Sequence, residues 1–445
     1  MSAPEIADLA TAAAPRLITE VPGPQARERI ERDRRVTSPS LPRAYPFVPK
    51  RGSGSVLEDV DGNLFLDLNA GIAVTSTGHS HPRVVEAIHR QADELLHYSA
   101  SDFFLPIYSD LCEELDRVAP FRADARSFLT NSGTEAVEAA IKLARRATGR
   151  QYVLAMFGSF HGRSYGSVSL TASKSLYRAG FGPMLPGVIH TWFGDCAHCP
   201  LNLTYPECDF ATVRYIEDVI FKHLVKPYEV AAVVVEPVLG EGGYIAPPPG
   251  WLAELRELCT RHGILLIADE VQSGMGRTGK LWAIEHFDVE PDVVLTGKGI
   301  ASGMPLGAMI ARHDLMVWET GAHGSTYGGN PVSCAAALAT LDLIENGLMQ
   351  NAAEVGGFLL EGLQGMAERQ PLIRRVRGLG LMIGIEFEDH DTMVAVEEAA
   401  FARGLLVLGC GENAIRMSPP LVFREDQAKT ALELFEEAVA EIAGR

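Results

Sequence analysis

The sequence predicts an α/β protein built on a mostly parallel central sheet. Apolar runs at 127–130, 152–156, 231–236, 264–269 and 293–296 alternate with amphipathic stretches such as 135–147 and 251–262. Continuous apolar runs, without polar alternation, are the mark of strands buried on both faces by helices. Polar and charged residues gather at or just beyond the ends of these runs, which is where an open sheet of this kind binds its ligands.

Taken in order, residues 1–50 are rich in Pro, Ala and Arg, and 25–36 reads as a charged surface helix. Residues 55–60 and 63–67, joined by Asp61-Gly62, read as a hairpin around an Asp-Gly turn. From about residue 76 to 330 the alternating pattern defines a large domain. Beyond it, 334–345 reads as a long helix, while 384–387 and 405–408 read as strands of a smaller α/β unit. That smaller domain is expected to combine residues 1–75 with 331–445, because neither piece alone carries a large core. No internal repeat or low-complexity segment is visible.

The 445 residues are 47% hydrophobic and 22% charged, the balance of a globular protein with real cores. With 57 acids against 39 bases, the net charge of −18 argues against a nucleic-acid or anionic-membrane partner, both of which want a basic face. An anionic substrate must then be caught by local arginines. No run approaches the ~20 apolar residues of a membrane span, and no basic-then-apolar leader opens the chain. Seven cysteines, an odd number, do not form a disulfide framework, so a cytoplasmic protein is expected.

The most telling residue is Lys298, among small residues just after the run ending at Thr296. A lysine at the carboxyl end of a buried strand, flanked by glycines, is placed to form a covalent bond. Asp269, at the end of the run before, is placed to hold the far side of a flat cationic ring. Together they point to pyridoxal 5′-phosphate (PLP), whose aldehyde takes a lysine and whose pyridinium nitrogen needs a carboxylate. Val271 offers that ring an apolar face, and Gln272 a donor to its phenolate oxygen.

Asn131-Ser-Gly-Thr-Glu-Ala136 follows a strand and opens a helix. It reads either as an anion site for the cofactor phosphate, built from helix-start N–H groups, or as a plain N-cap with a capping glutamate. In Phe157-Gly-Ser-Phe-His-Gly-Arg163 an aromatic can stack on the ring and Arg163 can grip a carboxylate. Gly274-Met-Gly-Arg-Thr-Gly-Lys280 has the glycine and lysine spacing of a phosphate-cradling P-loop, but Leu281 replaces the hydroxyl residue that motif needs for magnesium. Cys196-Ala-His-Cys199 with Cys208 matches no common zinc spacing; free thiols in a surface insertion are expected, and no metal. His79 and His81 read as turn or packing residues.

These segments, with Thr77-Gly-His-Ser-His-Pro82, Glu236-Pro-Val-Leu-Gly-Glu-Gly-Gly243, Gly276-Arg-Thr-Gly279, Pro291-Asp292 and Thr326-Tyr-Gly-Gly-Asn-Pro331, resemble the class III, fold-type I PLP aminotransferases over residues 40–440. The resemblance implies that Lys298 is the Schiff-base lysine and proton-moving base, and that Asp269 pairs the ring nitrogen. It implies a cofactor set of Ser132, Gly133 and Thr134 at the phosphate, Phe160 and Val271 on the two ring faces, and His161 and Gln272 beside them. Thr326 would reach the phosphate of the neighbouring subunit's cofactor, which implies a homodimer or a dimer of dimers.

Within the class the chain is similar to 4-aminobutyrate aminotransferases. That likeness implies a substrate set of Ile72, Arg163 for the distal carboxylate of an ω-amino acid, and Glu241 with Arg416 as a switching pair. The implied reaction moves the amino group of such a donor to 2-oxoglutarate. Leu408-Gly-Cys-Gly-Glu-Asn413 is more similar to a branch containing amino-acid racemases, which leaves a racemase or epimerase as an alternative, with ornithine or acetylornithine as other donors.

Overall fold

The computed structural model describes residues 9–444; residues 1–8, which include the start of the expected N-terminal unit and of the stretch read for a leader, lie outside the described residues, as does Arg445. Strands β1 (Pro49–Ser53), β2 (Val56–Asp59) and β3 (Leu64–Asp67) open the chain. Strands β4 (Ala125–Thr130), β5 (Tyr152–Met156), β6 (Val188–Thr191), β7 (Val230–Val235), β8 (Leu265–Asp269), β9 (Val293–Thr296) and β10 (Gly307–Arg312) follow. The chain closes with β11 (Ile373–Leu379), β12 (Met382–Phe387), β13 (Leu405–Leu406), β14 (Leu408–Cys410) and β15 (Ala414–Met417).

The central sheet has seven strands in the order β4-β10-β9-β8-β7-β5-β6. All run parallel except β10, which lies antiparallel between β4 and β9. Two of its strands, β6 and β10, are not among the runs read from the sequence. The chain is therefore α/β with a mixed, mostly parallel sheet. Every residue of β7, β8 and β9 is buried, as strands covered on both faces must be.

The terminal regions are interleaved. The 56–67 hairpin forms as β2 and β3, antiparallel with Leu57 opposite Phe65. β13, from near the C-terminus, adds parallel to β3 with Leu405 beside Leu66. The other C-terminal strands form a separate sheet, β11-β12-β15-β14, so the terminal regions contribute two four-stranded sheets.

Pro331–Leu343 and Met349–Arg369 form a 39-residue helical run, broken where Asn346 and Gly347 leave helical geometry. By length and composition this run could cross a membrane, although no such span is expected from the sequence. Half of its most apolar window is buried inside the protein. Its first part packs on the helices Pro82–Glu94 and Pro106–Arg117, and core packing accounts for its apolar character.

Gly274–Lys280 is a buried turn and not a phosphate cradle. The fully buried Arg277 donates to the carbonyls of Leu381 and Pro419, while Lys280 is exposed and donates to the Glu285 carbonyl. Arg277 thus ties the central sheet's loop to the C-terminal region. Replacing it with alanine leaves two buried carbonyls unpaired and a cavity, at a cost of about 3 kcal/mol. A denaturant midpoint for Arg277→Ala equivalent to a loss below about 0.5 kcal/mol would contradict that role.

Candidate active site

Parallel pairing of β8 with β9 sets Asp269 opposite Leu295. Asp269 ends β8, and Lys298 opens the short 3₁₀ turn after β9. Lys298 sits at φ 44°, a left-handed conformation that a lysine adopts only when its surroundings enforce it. Burial lowers its pKa below the ordinary lysine range, against the pull of Asp269 and Glu236. Lowering an amine's pKa enlarges the share that is unprotonated and free to act as a nucleophile and base.

Lys298 and Asp269 line one cavity of about 380 Å³ with Ser132, Gly133, Thr134, Phe160, His161, Arg163 and Val271. Gly133 begins the helix Gly133–Thr148 with Ser132 as its N-cap residue, whose hydroxyl makes no capping bond. The glutamate does reach back: Glu135 accepts from the backbone and side-chain nitrogens of Asn131 at 2.8 and 2.9 Å. The plain N-cap reading is thus met only in part, by the glutamate and not by the serine. A Cβ on Gly133 would lie 2.7 Å from the Val271 side chain, so only glycine fits there. The Thr134 hydroxyl is engaged with those of Ser164 and Ser167, at 2.8 and 2.5 Å.

Behind the cavity lies a buried acid–imidazole–acid cluster. His161 Nδ1 lies 2.6 Å from Asp269 Oδ2, while Asp269 Oδ1 accepts from the Val271 amide. Burial disfavours a charged His161, but the hydrogen bond and charge of Asp269, with Glu236, raise its pKa above the usual imidazole value. Glu236 is pushed up to about 7, chiefly by burial and also by Asp269, with the His161 charge opposing. Its oxygens accept from the amides of Phe160 and Gly240, at 2.7 and 2.8 Å. It therefore fixes both the aromatic facing the cavity and the loop that carries Glu241.

Arg416 projects from β15 and is almost fully buried. Its Nη1 lies 3.2 Å from Glu241 Oε2 and 3.5 Å from Gln272 Oε1. Gln272 also accepts from the Tyr244 hydroxyl at 3.0 Å; it borders the Arg416 cluster, not the cavity lining. The guanidinium of Arg163 lies over the rings of Tyr177 and Phe160, 4.9 and 5.7 Å from their centroids.

Ile72 is placed differently. It is 40% exposed and outside the cavity lining, within a left-handed turn in which Ala70, Gly71, Ile72 and Ala73 all have positive φ. Such a turn needs an external clamp. Asp67 supplies it, accepting from the amides of Asn69 and Ala70 and pairing with His79 Nε2 at 2.6 Å. His79 is thus more than a turn residue. Thr326 is exposed and outside the cavity too.

Sequence reasoning singled out neither Tyr177 nor Lys174, which sit in an irregular loop without periodicity. The Tyr177 hydroxyl donates to Glu241 Oε1 at 3.0 Å, and Lys174 Nζ lies 3.3 Å from the same oxygen. Cys196, Cys199 and Cys208 border a small surface pocket. His198, considered with them, turns its two ring nitrogens to Asp195 and Glu386, at 3.0 and 3.2 Å. Among the described residues no group of three His, Cys, Asp or Glu side chains is arranged to hold a metal ion.

Residues 39–439 match the family model of class III aminotransferases. The chain belongs to that family. It is 38% identical to an alanine/serine racemase of Pyrococcus horikoshii, over 96% of this chain and 92% of that protein. It is 39% identical to a 4-aminobutyrate aminotransferase of Escherichia coli, over 91% of this chain and 97% of the relative. An amine transaminase from an uncultivated Pseudomonas species, solved with PLP bound, superposes with a TM-score of 0.83 at 34% identity, covering 91% of this chain and 97% of the other. The chain is thus a PLP-dependent transaminase by family, and the cavity suits that cofactor: a buried lysine whose pKa is lowered, a buried carboxylate, apolar and aromatic walls, and a helix start for the phosphate.

The raised Glu236 pKa has a sign that can be tested. The folded state binds a proton between the ordinary value of 4.5 and about 7 that the unfolded chain has released. This contribution to stability is complete below pH 4.5 and is lost as pH rises through about 7. The melting-temperature gap between wild type and Glu236→Gln, which cannot titrate, should therefore shift against wild type as pH rises across that window. A gap constant with pH would overturn the assignment.

Proposed function

We propose that the protein transfers the amino group of an ω-amino acid, of the 4-aminobutyrate type, to 2-oxoglutarate. The observation that carries this reading is the Glu241–Arg416 pair, linked to Arg163 through Tyr177, whose hydroxyl holds Glu241 and whose ring faces the guanidinium. A donor with its amine at one end and a carboxylate at the other uses one cationic site, Arg163, and leaves Arg416 neutralised by Glu241. A dicarboxylate acceptor uses both arginines, gripping Arg416 once Glu241 has moved aside.

In this reading Ser132, Gly133 and Thr134 hold the cofactor phosphate, Phe160 and Val271 flank its ring, and Gln272 donates to its phenolate oxygen. Asp269, backed by His161, keeps its ring nitrogen protonated. Bound PLP supplies an electron sink and carries the amino group between the two half-reactions. Lys298 Nζ would hold the cofactor aldehyde and, once released by the substrate amine, would take the proton from the substrate carbon that bears nitrogen. Ile72 presents an apolar surface to the donor chain, on the turn that Asp67 clamps.

The active unit in this reading is a homodimer, with Thr326 serving the neighbour's phosphate. Its support is an apolar surface around the 325–327 segment. Ser101 and Ser325 exchange hydrogen bonds, and His97 stacks on Tyr327. Leu96, Tyr98, Phe103, Phe104 and Tyr327 are all exposed on these two segments. Phe104→Asp should shift the protein toward monomer in light scattering and lower its retained PLP; an unchanged dimer would move the interface elsewhere.

A second reading, an amino-acid racemase, is favoured by the named activity of the Pyrococcus relative. Single-turnover incubation of PLP-loaded enzyme separates the two. With 4-aminobutyrate and no keto acid, the visible cofactor absorbance should disappear, and 2-oxoglutarate should restore it. Persistent absorbance with loss of optical activity in an α-amino acid would replace the proposal with racemisation. Arg416→Lys should slow the 2-oxoglutarate half-reaction at least tenfold more than the donor half-reaction; equal losses would retire the switching role.

A further inference from the structure

Glu241 has three partners. One oxygen faces Arg416 at 3.2 Å; the other receives the Tyr177 hydroxyl at 3.0 Å and Lys174 Nζ at 3.3 Å. Its side chain is only 14% exposed, so a Glu241 stripped of Arg416 must find another cation or remain a largely buried, unpaired carboxylate. We infer that Lys174 and Tyr177 form the seat that receives Glu241 when an incoming α-carboxylate takes Arg416, and thereby set how readily a dicarboxylate acceptor is admitted. The inference rests on the aminotransferase reading above and extends it to two positioning residues.

Charge supports this division of labour. Arg416 and Glu241 alone sum to zero, so an added carboxylate would leave the cluster one charge negative. With Lys174 the cluster carries one positive charge before the acceptor arrives and none after it. Arg163, over the Tyr177 ring at 4.9 Å, supplies the second cation for the acceptor's distal carboxylate. Two surplus cations meet a dicarboxylate, and one of them meets a monocarboxylate donor.

Geometry keeps the seat in place. Tyr177 closes the short 3₁₀ turn Ser175–Tyr177 and stands edge-on to Phe160, with ring centroids 5.4 Å apart at 79°. It therefore spans both recognition points: its ring faces Arg163 and its hydroxyl holds Glu241. Lys174 lies on the outer side of Glu241, 39% exposed, and its ammonium stays partly hydrated while serving as counterion. Because Glu241 already touches both groups, release from Arg416 needs only a small rotation toward partners it has, with no search for new ones.

Lys174 contributes to both states, but in the released state it is, among the described residues, the one cation still in ion-pair contact with Glu241. Its loss should therefore penalise the acceptor selectively. In single-turnover titrations of the PLP-loaded enzyme, Lys174→Met should weaken 2-oxoglutarate about tenfold and change 4-aminobutyrate less than twofold. Lys174→Arg should restore the wild-type ratio, and Tyr177→Phe should give a smaller shift in the same direction. Equal effects on both substrates, no effect on either, or no rescue by arginine would overturn the inference while leaving the aminotransferase reading intact. Should wild type itself pass no amino group to 2-oxoglutarate, that reading falls and this one with it.

Discussion

The site depends on the register of β8 against β9. With Asp269 opposite Leu295, the carboxylate that ends one strand and the lysine that follows the other are delivered to the same cavity. A slip of one residue would turn Asp269 toward the opposite face of the sheet, among helix side chains, and separate it from Lys298. The wholly buried β7, β8 and β9 prevent such a slip, because each step would have to break a ladder with no water to replace its hydrogen bonds. Rigid strands thus do the aiming, and the loops beyond them carry the chemistry.

Around that axis the charged groups are arranged in two layers with different physics. The inner one, Asp269, His161 and Glu236, is nearly dry: burial lifts Glu236 and lowers the nearby Lys298, while Asp269 outweighs burial at His161. The outer one, Glu241, Arg416, Tyr177 and Lys174, runs from the buried Arg416 to the partly exposed Lys174 and is made of contacts that can exchange. Glu236 joins the two, because its oxygens hold both the Phe160 amide and the Gly240 amide beside Glu241. A fixed inner layer suits the constant demands of one cofactor. A looser outer layer suits two substrates that differ by a carboxylate.

Much of this was legible in the chain. Lys298, Asp269, the Asn131–Ala136 turn and Phe160 stand at the ends of apolar runs, and the class of the family follows from their order. Other features left no local signal. β10, Gly-Ala-Met-Ile-Ala-Arg at 307–312, is as apolar as its neighbours, so composition cannot reveal that it runs antiparallel. The left-handed turn at Ala70–Ala73 contains one glycine and three residues that ordinarily avoid positive φ; it exists because Asp67 and His79, distant from it by several positions, clamp its entry.

The sequence by itself determined five of the seven central strands, the main helices between them and the chemical identity of the lysine, carboxylate and arginines, since these follow from hydrophobic period and side-chain type. Only the tertiary structure decided which of them meet. Glu241 and Arg416 are 175 positions apart, and Tyr177 joins them from a loop with no periodic pattern. It also set the protonation tendencies of Lys298, His161 and Glu236, because a pKa depends on burial and on neighbouring charge, and both are properties of the folded interior.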